Sequence, residues 1–209
     1  MMQLPVKKTN GFHYLPGFLD ARAQSAIHGL LEKAVVEAPF FTPVMPRTGR
    51  PFTVLMTNLG RLGWVSDAKG YRYQPVHPET GRPWPDMPDE ILAVWRAVSS
   101  YSHDPEACLV NYYAKGARMG LHRDIDEDDL NAPVVSISLG DTAVFRIGGR
   151  ERKDRTETLK LVSGDVVILG GPSRLRYHGI DRILIGTSTL LPQGGRINLT
   201  LRRVTRPAC

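Results

Sequence analysis

From residue 107 onward, apolar and polar residues alternate in short runs separated by glycine-bearing turns, and this restricts the chain to β architectures. Val135, Ile137 and Leu139 alternate with Ser136 and Ser138, and Ile197, Leu199 and Leu201 alternate with Asn198, Thr200 and Arg202. Further short strands are expected over residues 142–147, 158–162, 165–169 and 183–189, divided by Gly148-Gly149, Ser163-Gly164-Asp165 and Gly170-Gly171-Pro172. Many short strands with frequent turns predict a sandwich or barrel of jelly-roll kind. Two helices should pack outside it. The first begins near Asp20, a capping residue, and places Ile27, Leu30, Leu31, Ala34 and Val35 on one face before Pro39. The second starts near Pro88, carries Ile91, Val94, Trp95 and Val98 on one face, and is closed off by Asp104-Pro105. Between them, residues 42–85 are rich in Gly, Pro and aromatics and read as short strands and long loops. The fold class is therefore mainly β with flanking helices.

A chain of 209 residues with 42% hydrophobic content can bury one sizeable core and requires no second domain. Its 27 Lys and Arg against 21 Asp and Glu give a formal charge of +6, which attracts polyanions and also fits a soluble monomer kept apart by self-repulsion. Cys108 and Cys209 offer neither a disulfide framework nor a cysteine-rich zinc site, as expected of a cytoplasmic protein. No segment reaches the apolar length that spans a bilayer, so no membrane association is expected.

His122 and Asp124 form a His-x-Asp, and on a strand residues two apart point the same way, so imidazole and carboxylate could share a metal. Alone the triplet means little, because about 0.4 of them arise by chance in such a composition; an exposed ion pair with Arg118 or Arg123 would explain it as well. His178 lies where a later strand could return to the same pocket, and two His with one carboxylate make the facial set that holds iron(II) and leaves positions open. Arg196, Asn198, Thr200 and Arg202 share one face of the last strand. Two arginines there, with α-carbons roughly 20 Å apart, would suit a small diacid gripped bidentately. A solvated basic edge strand would show the same residues.

These segments resemble the AlkB family of iron(II)- and 2-oxoglutarate-dependent dioxygenases. Asn111-Tyr112-Tyr113, Leu121-His122-Arg123-Asp124 followed by Asp126, residues 134–139, Gly164-Asp165-Val166-Val167, Tyr177-His178-Gly179 and residues 196–202 stand in the family's order and spacing, over about residues 52–204. The resemblance implies a double-stranded β-helix core over 106–206, preceded by an extension over 1–105 with a nucleotide-recognition lid at about 50–85. It implies iron(II) on His122, Asp124 and His178, and 2-oxoglutarate on Asn111, Tyr113, Arg196, Asn198 and Arg202, with dioxygen as second cosubstrate. It further implies oxidative demethylation of bases such as 1-methyladenine and 3-methylcytosine in DNA, preferably single-stranded, with RNA left open. Decarboxylation to succinate is coupled there to hydroxylation of the methyl carbon and loss of formaldehyde.

In the family, the residue matching Trp64 stacks on the flipped base, and Met56, Tyr71, Tyr73 and Arg152 match substrate positions. A cationic methylated base gains from a ring face through dispersion and cation–π attraction, although a core Trp is the plainer reading of Trp64. Asp126 could accept a hydrogen bond from an exocyclic amine, although an acidic run with Glu127, Asp128 and Asp129 ordinarily means a solvated loop. Other readings are a dioxygenase acting on a protein or small molecule and a basic jelly-roll binding module. A zinc base deaminase would use His77-Pro78-Glu79, but the cysteine pair it needs is missing.

Overall fold

The alternating segments become the strands of two facing antiparallel sheets. The computed structural model describes residues 7–207, so Cys209 lies outside it. In chain order the elements are β1 (Lys7–Thr9), β2 (Phe12–Leu15), α1 (Ala21–Glu37), β3 (Leu55–Leu59), β4 (Gly63–Asp67), β5 (Gly70–Gln74) and α2 (Asp89–Val98). There follow β6 (Ala107–Tyr113), β7 (Met119–His122), β8 (Val134–Gly140), β9 (Thr142–Ile147), β10 (Glu157–Leu161), β11 (Val166–Leu169), β12 (His178–Leu184) and β13 (Arg196–Arg202). The larger sheet has the order β1-β2-β11-β8-β13-β6-β3 and the smaller β10-β9-β12-β7, with β4 and β5 forming a separate hairpin. This is the jelly roll that the alternation predicts.

Period two sorts the large sheet's residues between two environments. Val135, Ile137, Leu139, Ile197, Leu199 and Leu201 face outward and pack with Ile27, Leu31 and Ala34 of α1 and Ile91, Val94 and Trp95 of α2. The alternate residues face the smaller sheet, where Met56, Leu109, Val134, Phe145, Ile147, Leu161 and Ile180 form a second apolar cluster. Asp20 caps α1 as expected, accepting from the Ala23 N–H at 2.8 Å.

Several expected boundaries shift. α2 ends at Val98, well short of Asp104-Pro105, and Trp95 Nε1 donates to the His103 carbonyl in the connection that follows. The strand expected over 183–189 runs instead from His178 to Leu184. Residues after it cannot continue the ladder, because the Thr187 and Ser188 N–H groups are captured by the Asp141 carboxylate at 2.9 and 3.1 Å. Within 42–85, β4 and β5 form an ordered hairpin, and Trp64 lies on its first strand and not in a loop. The first 105 residues also supply β2, which pairs with β11, and β3, which pairs with β6. Among the described residues no helix is long and apolar enough to cross a membrane. Cys108 is buried in β6, and burial pushes its thiol up to about 12, so it stays protonated and inert.

Candidate metal centre and its cavity

His122 ends β7 and His178 begins β12, and the two are partners in the antiparallel ladder with ring centroids 4.6 Å apart. Asp124 is not on the strand with His122, as the His-x-Asp spacing suggested; it lies in the loop beyond β7. Side-chain bonds turn it inward. Arg202 Nη2 donates to Asp124 Oδ1 at 3.0 Å, and Arg174 Nη1 donates to its backbone carbonyl at 2.7 Å. The carboxylate then stands 3.8 Å from His122 Nε2 and 3.7 Å from His178 Nε2. One ligand atom from each of the three residues lies within 4.8 Å of the others.

The imidazoles are oriented for coordination. His122 Nδ1 is 2.9 Å from the Gly120 carbonyl and His178 Nδ1 is 3.0 Å from that of Arg176. A carbonyl can only accept, so each Nδ1 carries the proton and each Nε2 presents its lone pair to the shared point. Burial, and then the neighbouring His122, lowers the His178 pKa to about 4, which keeps the ring in its neutral, ligating form. Burial alone would raise the Asp124 carboxyl, but the Arg202 guanidinium overrides it and holds the group ionised.

The three residues open into a cavity of about 260 Å³ between the sheets. Asn111, Tyr113, Arg196, Asn198 and Arg202 line it, as do Met56, Trp64, Tyr71 and Asp126. β13 is a central strand between β8 and β6, buried along its whole length, so its arginines do not belong to a solvated edge. Arg196 is 1% exposed and has no carboxylate partner among the described residues. Its guanidinium lies 5.3 Å from the Tyr113 ring and donates to Ser138 Oγ at 3.0 Å. Asn111 Oδ1, Asp124 Oδ2, Arg196 Nε and Nη1, and Arg202 Nε are buried side-chain atoms without a hydrogen-bond partner, and all four residues line this cavity. Buried polar atoms left in one place call for a polar occupant. A cation at the His and Asp atoms and a carboxylate-bearing molecule at the arginines fit that set.

The outer residues separate. Trp64 is clamped in β4 by reciprocal bonds with Asn58, at 3.0 and 3.1 Å, and its indole N–H donates to Asp126 Oδ2 at 2.8 Å. Its ring stacks on Tyr71 with centroids 5.5 Å apart and an interplanar angle of 17°. Gly63, the first residue of β4, lets the Trp84 ring lie against the strand, since a Cβ there would meet that ring at 2.4 Å. Asp126 therefore reaches Trp64 from the loop after β7. Tyr73 and Arg152 do not line the cavity. The Tyr73 hydroxyl points inward and donates to Glu127, whereas Arg152 is exposed with its guanidinium 5.8 Å from the Tyr177 ring.

The acidic run after Asp124 is not a solvated loop. Asp126 and Asp128 are exposed, but Glu127 and Asp129 are buried. Glu127 pairs with Arg174 at 2.9 Å, an ion pair missed in the sequence because nothing links residues 47 positions apart. His77 of the His-x-Glu is structural. Its Nε2 meets the Pro39 carbonyl at 2.8 Å, its Nδ1 accepts from the Glu79 and Thr80 N–H groups, and its ring packs against Phe41 and Trp84.

A jelly roll holding two imidazoles and a carboxylate beside a buried, arginine-lined cavity defines a class of mononuclear metal oxygenases. Comparison with known proteins narrows it. The profile of the 2OG-Fe(II) oxygenase superfamily matches residues 11–202. The chain is 56% identical to the alpha-ketoglutarate-dependent dioxygenase AlkB homolog of Caulobacter vibrioides, over 97% of this chain and 92% of that protein. It is 45% identical to the alpha-ketoglutarate-dependent dioxygenase AlkB of Escherichia coli K12, over 80% and 78% of the two chains. The solved structure of OsALKBH1 superposes with a TM-score of 0.79 at 31% identity, covering 95% of this chain and all of that one. The chain belongs to the AlkB family of iron(II)- and 2-oxoglutarate-dependent dioxygenases.

Proposed function

We propose that this enzyme oxidatively removes N-linked methyl groups from nucleic-acid bases, with cationic lesions such as 1-methyladenine and 3-methylcytosine as preferred substrates. The observation that carries the reading is the pairing of the Trp64 indole with the Asp126 carboxylate on the cavity that holds the His122, Asp124 and His178 cluster. A ring face and a carboxylate together favour a flat cation over a neutral base. Relatives of lower coverage are a DNA N(6)-methyladenine demethylase of Arabidopsis thaliana, 42% identical over 47% of this chain, and the tRNA demethylase abh1 of Schizosaccharomyces pombe, 32% identical over 65%. Both names support a nucleic-acid substrate.

In this reading His122, Asp124 and His178 bind iron(II), and Asn111, Tyr113, Arg196, Asn198 and Arg202 hold 2-oxoglutarate. Met56, Trp64 and Tyr71 receive the base, Asp126 accepts from its exocyclic amine, and Arg152 attracts the strand's phosphates. When bound, iron(II) and 2-oxoglutarate would supply the oxidation with dioxygen as the oxidant, one oxygen atom going to the succinate left by loss of carbon dioxide and the other to the methyl carbon; the hydroxymethyl amine then releases formaldehyde. Residues 1–105 serve as the extension that carries the lid at about 50–85, and 106–206 as the catalytic core. The enzyme works as a cytoplasmic monomer and takes single strands more readily than duplex, because unstacking a paired base costs a few kcal/mol. Mass spectrometry of methylated DNA and RNA oligonucleotides, single- and double-stranded, after incubation with iron(II), 2-oxoglutarate and oxygen tests this. Succinate formed with no oligonucleotide demethylated would sink it.

A further inference from the structure

At the wall of the cavity, Asp124 and Arg202 belong to a buried quartet of charges whose other two members, Glu127 and Arg174, the proposed chemistry does not use. Glu127 and Arg174 form an ion pair whose side chains are 2% and 3% exposed, with Oε2 and Nη2 2.9 Å apart. Arg174 places its other donors on the Ala132 carbonyl at 3.0 Å and the Asp124 carbonyl at 2.7 Å, and so fastens both ends of the loop after β7. Glu127 Oε1 stands 3.3 Å from Arg202 Nε, while Arg202 Nη2 is held by Asp124 at 3.0 Å. Two carboxylates balance two guanidiniums, and a buried charge is tolerated only in such company. The same Glu127 carboxylate accepts from the Tyr73 hydroxyl of β5. Tyr73 is the ladder partner of Trp64 across the β4–β5 hairpin.

We propose that Glu127 is the positioning residue that sets Arg202 for the cosubstrate, and that through Tyr73 it ties the hairpin bearing Trp64 to that arginine. Arg202 without Glu127 keeps one anchor, Asp124, and swings onto it. The guanidinium edge offered to a carboxylate is then no longer fixed, and a metal ligand becomes more heavily paired. A pre-set guanidinium binds a carboxylate better than one that must first be oriented. Arg174 holds Glu127 from the far side, so the carboxylate cannot follow Arg202 into the cavity. The inference rests on reading Arg202 as a cosubstrate residue.

Anaerobic calorimetry of 2-oxoglutarate binding to the iron(II)-loaded enzyme tests it without turnover. Glu127→Gln should weaken binding about tenfold, because it removes the charge that holds Arg202 Nε at 3.3 Å and leaves the guanidinium to be oriented on binding. In turnover, it should raise the half-saturating 2-oxoglutarate concentration more than it lowers the saturated rate. Tyr73→Phe removes only a hydroxyl, preserves the fold, and should weaken binding several-fold. The double variant should bind no worse than Glu127→Gln, because the hydroxyl acts through that carboxylate. Unchanged affinity in both single variants, or effects that add independently, overturns the inference. Arg202→Lys separates the two levels: an ammonium lacks the planar grip, so its binding should fall. Unchanged affinity in that variant would remove the cosubstrate reading itself, whereas weak binding by Arg202→Lys with normal binding by Glu127→Gln would remove only the role of Glu127.

Discussion

His178 illustrates how one side chain can be tuned by what surrounds it. Burial, and then His122, holds its folded pKa near 4, below the ordinary histidine value of about 6.5. The folded metal-free protein therefore binds this proton less readily than the unfolded chain. A depressed folded pKa means that stability is fully present above pH 6.5 and is lost as pH falls toward 4, where both states become protonated. The loss should be about 2–3 kcal/mol. Urea titrations of metal-free protein between pH 7 and pH 4.5 should show it. The His178→Ala protein should stay folded yet show a smaller fall over the same interval, because the contribution of this buried imidazole is gone. Equal slopes for the two proteins would mean that His178 is not desolvated as described. The same variant should lose iron(II) binding, since two ligands leave the facial set incomplete.

At the level of elements, the site depends on how closely β12 runs beside β7. A Cβ at Gly179 would stand 2.6 Å from the Met119 carbonyl oxygen and 2.8 Å from that of Gly120. Both obstacles are backbone, so Gly179→Ala must push the strands apart where His178 pairs with His122. We expect a loss of about 1–3 kcal/mol and, more tellingly, weaker iron(II) binding than in Gly29→Ala, where a Cβ on α1 meets nothing within 4 Å. Calorimetric metal titration would check this, and equal affinity in the two variants would count against it. The alternation made β8, β9 and β13 legible in the sequence, since each buries one face against the helices or the opposite sheet. β12 was misplaced because Gly179, Asp181 and Arg182 break its apolar run, and its start is fixed by pairing with distant strands. The grouping of His122, Asp124 and His178 could be read through family resemblance. The burial of Glu127 could not, because its partners Arg174 and Arg202 are brought to it only by the closed fold.

For the molecule as a whole, the formal charge of +6 bears on how a polyanion is captured. Binding to a single-stranded oligonucleotide should weaken as salt rises, since neutralised phosphates release counterions. Arg152 is exposed, shares the Tyr177 ring with Arg123 and has no carboxylate partner among the described residues. Arg152→Gln should therefore reduce the slope of log affinity against log salt by roughly 0.7, measured by fluorescence anisotropy, without altering the rank order of lesions. An unchanged slope would place Arg152 off the strand's path. β13 has a different consequence. One face of this central strand bears the arginines and asparagine of the cavity, and the other closes the core beneath the helices. Its amides should be among the last to exchange with deuterated solvent, opening only when the whole domain opens. Heat inactivation of the enzyme should then coincide with its calorimetric melting and not precede it, because fraying at β1 or β10 leaves this strand untouched.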